Sequence, residues 1–112
     1  MGLDVGKARW SYSGFGEFRH RLCEQLGIKL SAMRGFGGET PWALYADEPL
    51  VPLLDHSDCD GELTPEQCAT VAPRLRELVD AWEEDDYDRI HAIRLTESME
   101  ECAANNEPLE FH

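Results

Sequence analysis

Between Asp55 and Glu62 the chain reads Asp-His-Ser-Asp-Cys-Asp-Gly-Glu, which places four carboxylates, an imidazole, a hydroxyl and a thiol within eight residues. These groups support three kinds of chemistry. Clustered carboxylates repel unless a cation or a donor offsets them, so Asp55, Asp58, Asp60 and Glu62 could share a divalent ion. A carboxylate or His56 could move a proton, with Cys59 as nucleophile. With no reaction at all, His56, Ser57, Asp58, Asp60 and Glu62 offer donors, acceptors and a titratable ring to a polar ligand.

Set against a calcium-binding loop, residues 56–67 match in the middle and fail at the ends. Asp58 and Asp60 fall at the second and third ligand places, Gly61 at the turn, Glu62 at the backbone-carbonyl place and Leu63 at the apolar place after it. His56 stands where the first Asp belongs, and Gln67 where the bidentate acid belongs. Pro49 and Pro52 also deny the loop its incoming helix. What remains is a weaker calcium or magnesium site. The plainer alternative is a turn in which Asp side chains bond nearby N–H groups and Gly61 takes a left-handed conformation. No other cofactor is expected.

Aromatic residues point toward a ligand of a different kind. Trp10, Tyr12, Phe36, Trp42 and Tyr45 fall in two short, loop-rich segments, and aromatic rings stack on bases while carboxylates bond ribose hydroxyls. Arg9, Lys29 or Arg34 could meet phosphates, with a helix N-terminus near Pro65 adding N–H groups. The expected site therefore joins Trp10, Tyr12, Arg34 and Trp42 to the loop residues His56, Ser57, Asp58, Asp60 and Glu62, around a small polar or nucleotide-like molecule. The competing reading is that these aromatics are core. The zinc-deaminase, H-E-x-x-H and G-x-S-x-G patterns are absent, as are both glycine-rich nucleotide fingerprints, which favours a binder over an enzyme.

Charge narrows the partners. Residues 1–34 carry six Lys or Arg against three acids, and residues 35–112 carry four against twenty, so +3 and −16 make up the net −13. That bulk sign excludes general nucleic-acid binding and leaves an acidic face for a basic partner as a further alternative. A homo-oligomer is compatible with this composition. No run of apolar residues is long enough for a membrane span, and the opening residues lack a secretory pattern, so no membrane partner and a cytoplasmic location are expected. Four cysteines at 23, 59, 68 and 102 form no C-x-x-C pair, which predicts buried free thiols, with Cys59 the exception in its polar loop.

The elements that must position these groups follow from periodicity and capping. Leu3 to Tyr12 reads as an irregular strand or extended arm. Phe15, Phe18, Leu22 and Leu26 recur at helical steps, and Gly27 stops that helix. Residues 28–41 form a glycine-punctuated loop, and the prolines at 49 and 52 predict an edge strand or extended run over 50–54. Thr64-Pro65-Glu66-Gln67 is a capping signal for a helix from Pro65, which Pro73 must kink or restart. A last helix spans 87–104, and the tail from Pro108 could form a short strand. At 112 residues the chain fits one α+β domain, 1–112, with three main helices on a small, short-stranded antiparallel sheet.

Met1-Gly2-Leu3-Asp4, His56-Ser57-Asp58-Cys59-Asp60-Gly61-Glu62 and Glu107-Pro108-Leu109-Glu110-Phe111 together resemble a family of small acidic proteins of actinobacteria and their phages. The resemblance spans nearly the whole chain and brings with it no established activity or ligand. It implies a non-catalytic binder, since small phage proteins of this kind often act by sequestering nucleotide-derived immune signals in counter-defence.

Overall fold

The chain opens with a hairpin: β1 (Gly2–Val5) pairs antiparallel with β2 (Ala8–Ser11), Leu3 opposite Trp10 and Val5 opposite Ala8. The computed structural model, which describes residues 2–57 and 60–112, thus replaces the expected arm with two regular strands. Leu3, Val5, Ala8 and Trp10 all face inward, so the period-two pattern is present and is interrupted only by the turn at Gly6-Lys7. Glycine is required there twice over. Gly6 has φ 59°, and an added Cβ would come within 2.4 Å of the Ser98 hydroxyl.

Helix α1 (Tyr12–Leu26) follows without a linker. Ser11 caps it by accepting from the Gly14 N–H, and Gly27 ends it in the left-handed conformation. Phe15, Phe18, Leu22 and Cys23 are buried along one face, and the Trp10 indole stacks on Phe18 at 4.7 Å and 16°. A single 3-10 turn, Leu30–Ala32, leads into the glycine loop, and a second, Trp42–Tyr45, leads out of it.

Over residues 51–54 the structure departs from expectation. The segment is a one-turn helix, α2 (Val51–Leu54), rather than a strand. Pro52 sits in its first turn, where the missing N–H would have had no partner in any case, so proline permits the helix it was expected to forbid. Leu50, Leu53 and Leu54 are driven into the core by this turn.

Strand β3 (Glu62–Leu63) pairs antiparallel with β4 (Leu109–Glu110), so the chain's tail closes over the segment that follows the acidic loop. The expected single sheet is two strand pairs, stitched by an antiparallel bridge between Val5 and Phe111. Helix α3 (Pro65–Val79) carries the full capping box: Thr64 Oγ1 accepts from the Gln67 N–H, and Gln67 Oε1 accepts from the Thr64 N–H. Pro73 lies on its exposed side, and the helix runs through it.

Helix α4 (Tyr87–Ala104) has the expected bounds and packs along α3. Its N-cap Asp86 also receives a forked pair of bonds from Arg21, at 3.0 Å each, while Asp88 takes Arg21 at 2.8 Å and the Trp10 indole N–H at 3.0 Å. The Arg21 guanidinium lies 3.8 Å over Trp82. One network therefore ties α1, β2 and the start of α4. Among the described residues, no helix is long and apolar enough to cross a membrane.

Candidate binding cleft

Three elements converge beside the acidic loop, and the residue that joins them is Arg19. It stands at 3% exposure in the apolar stripe of α1, between Phe15 and Leu22. From there its guanidinium donates to the carbonyl of Leu54 at 3.3 Å and to the carbonyl of His56, which holds the turn after α2 against α1. The same planar group faces the rings of Phe15 and Phe36, 4.7 and 5.0 Å from their centroids. A buried cation is thereby solvated by carbonyl dipoles and aromatic faces.

The turn itself closes through His56. Its Nδ1 is 2.9 Å from the Ser57 carbonyl oxygen, its Nε2 is 3.0 Å from the Glu62 carbonyl oxygen, and its ring stacks on Phe111 at 3.9 Å. Carbonyl oxygens only accept, so whichever ring nitrogen carries a proton is the donor. Gly61, at φ 93°, passes so near that an added Cβ would lie 3.1 Å from His56 Cε1. His56 is thus a strut of the loop, with both ring nitrogens facing backbone carbonyl oxygens.

Opposite this turn, the glycine loop is equally determined. Arg34 N–H donates to Thr40 and Thr40 N–H to Ala32, while the Trp42 indole donates to the Arg34 carbonyl at 3.0 Å. Gly38 passes so close to the Ala32 backbone that a side chain there would collide with it. Phe36 is held edge-on against Trp42 at 6.0 Å. Between the two loops lies a cleft of about 330 Å³ lined by Arg19, Gly35, Phe36, Asp55, His56 and Ser57. A second cleft, of about 370 Å³, runs along the exposed face of α1 past Gly16 and His20 and shares Phe36 with the first.

The expected site residues divide accordingly. His56 and Ser57 line the cleft, with Asp55 beside them. Arg34 is exposed next to Gly35, and Trp42 acts from behind Phe36 rather than facing the cleft. Tyr12 starts α1, is 36% exposed and is not among the lining residues. Trp10 must be corrected from ligand platform to core: at 1% exposure, with its ring against Phe18 and its N–H on Asp88, it has no face left to offer. Asp60 and Glu62 are exposed and do not line the cleft, whereas Asp58 and Cys59 lie outside the described residues.

For the divalent-ion alternative, Asp55, Asp60 and Glu62 do not gather: among the described residues no three His, Cys, Asp or Glu side chains stand close enough to hold a metal. Burial pushes the thiols of Cys23 and Cys68 up to about 11, and raises that of half-buried Cys102, so these three resist ionisation and serve as small apolar groups.

Sequence reasoning passed over Arg19 and underused Phe36. The signal for Arg19 was available, because its spacing from Phe15 and Leu22 puts a cation on the buried face of an amphipathic helix. Fold and cleft together define a small α+β chain with a polar, aromatic-walled cavity between two loops. No family model, no curated protein and no solved structure matches it.

Proposed function

We propose that the chain is a non-catalytic binding protein that holds a small polar, nucleotide-like molecule in the cleft between Gly35-Phe36 and Asp55-His56-Ser57. The observation that carries this reading is the composition of that cleft: an aromatic ring, a carboxylate, a hydroxyl and backbone groups around about 330 Å³, all mounted on a buried arginine. That size lies within the range of ligand pockets and suits a nucleoside-sized molecule. A base would stack on Phe36, and ribose hydroxyls would bond Asp55 and Ser57. Both ring nitrogens of His56 face backbone carbonyl oxygens at close range, which leaves neither directed at a ligand proton and favours binding over general-base catalysis. The resemblance to small actinobacterial and phage proteins extends the proposal to sequestration of a nucleotide-derived signal in counter-defence.

Thermal denaturation against nucleotides, cyclic nucleotides and ADP-ribose derivatives tests this reading, since a ligand that binds the native state raises the melting temperature. The expected result is a concentration-dependent rise with at least one of them, and recovery of that ligand unchanged after heat release. No rise with any of them refutes the reading, and recovery of an altered ligand assigns an enzyme instead.

A second reading, an acidic face that masks a basic partner, is favoured by one relationship. Glu62 and Glu110 stand directly opposite each other across β3 and β4, both exposed, an arrangement that repels unless a cation covers it. A salt-sensitive protein partner that is lost in Glu110→Lys would support that reading.

A further inference from the structure

Strand β2 has β1 on one side and, among the described residues, no strand on the other. An open edge of this kind offers unpaired N–H and C=O groups to any extended chain. Here the outward groups of Arg9 are both covered by side chains of α4. The Arg9 N–H donates to His91 Nδ1 at 3.0 Å, and the Arg9 carbonyl accepts from the Tyr87 hydroxyl at 2.7 Å. The two rings stack on one another at 4.2 Å and 25°, so they act as one unit.

This arrangement constrains the state of His91. A backbone N–H can only donate, so Nδ1 must present its lone pair, and the ring must be neutral with its proton on Nε2. We propose that His91 is an acid-released latch on the β2 edge: protonation at Nδ1 breaks its bond to Arg9 and frees the outer N–H of β2, while the Tyr87 hydroxyl keeps the Arg9 carbonyl.

The groups facing His91 decide where the latch opens. Burial lowers its affinity for a proton below the ordinary value of 6.5, Arg94 on α4 lowers it further, and Asp88 on α4 opposes both. From β2 the ring meets Trp10, at 5.7 Å, and the Arg9 main chain; the Arg9 guanidinium is turned toward Asp4 of β1, 3.5 Å away. Release therefore falls on the acid side of neutrality. It is local, because the forked bonds from Arg21 hold the Asp86 carboxyl below its ordinary value and keep the cap of α4 charged through the same pH range. Helix α4 stays anchored while the His91 contact with the strand edge opens.

Amide hydrogen exchange followed by NMR from pH 8 to 5, with the His91 ring protons titrated in the same samples, tests the latch. The protection factor of the Arg9 amide should fall by roughly tenfold or more in step with the His91 titration, while that of Met99 in the core of α4 holds. His91→Gln, whose side-chain oxygen accepts at every pH, should make Arg9 protection independent of pH. Steady Arg9 protection across the wild-type His91 titration would overturn the proposal, as would an unaltered pH-dependent loss in a folded His91→Gln variant. The wild-type measurement decides alone if that variant does not fold.

Discussion

Arg19, at the middle of α1, donates to the backbone carbonyl of His56, thirty-seven residues away in the turn after α2. This bond and its companion to Leu54 make the cleft a property of the core, since the cation that positions the turn is itself 3% exposed. Replacing it by methionine keeps most of the volume and deletes the donors, which leaves buried carbonyls without them. Arg19→Met should cost about 3 kcal/mol in urea denaturation. Arg19→Lys, which retains the charge and loses the planar fork, should cost less. A change within about 0.5 kcal/mol for Arg19→Met would show that the arginine does not organise the turn.

Asp86 combines an N-cap with an ion pair, so its loss should be felt at two places. Hydrogen bonds from Arg21 hold its carboxyl below the ordinary value of 3.8, against the opposing effect of burial. A carboxylate depressed in the folded state contributes stability that is present in full above its unfolded value and is lost as pH falls through the folded one. Acid unfolding followed by circular dichroism should therefore include a loss below about pH 4 that Asp86→Asn removes. At neutral pH, Asp86→Ala should cost about 1–2 kcal/mol, the upper range for a helix cap.

How much of this was legible in the sequence depends on how local the cause was. Helix α3 was readable because Thr64, Pro65 and Gln67 act on one another within four residues, and α4 because Asp86 acts on the N–H groups that directly follow it. The hairpin was missed since Gly6-Lys7 splits its alternation into two runs too short to recognise separately. Proline at 52 was read as a helix breaker, and the position within the first turn that makes it harmless is set by how Leu50, Leu53 and Leu54 enter the core. The acidic loop stood out by composition, yet the groups that hold its first residues, Arg19 and Phe36, come from elsewhere in the chain. Trp10 carries the same lesson in reverse, for only tertiary packing separates a stacking platform from a core indole.

Glu62 and Glu110 face each other across the β3–β4 pair with no opposite charge between them in the register. Glu110→Lys converts a like-charge pair to an opposite one and should stabilise the fold by about 0.5 kcal/mol. For a domain of this size that is a rise of roughly 2–4 °C in melting temperature, diminishing in high salt. No rise would place the two carboxylates too far apart to interact.

With Asp55, Asp60 and Glu62 dispersed, millimolar calcium or magnesium should leave the melting temperature unchanged to within about 1 °C. A larger rise, reversed by EDTA and abolished in Asp58→Asn, would restore the divalent-ion reading of the loop.

The most direct test of the central claim is amide and side-chain NMR mapping of whichever nucleotide gives the largest thermal shift. If the cleft is the site, chemical-shift changes will concentrate at Gly35, Phe36, Asp55, His56 and Ser57, and Asp55→Ala or Phe36→Leu will weaken binding at least tenfold, about 1.4 kcal/mol. Shifts confined to α3 and α4, or binding that both variants retain in full, would contradict it.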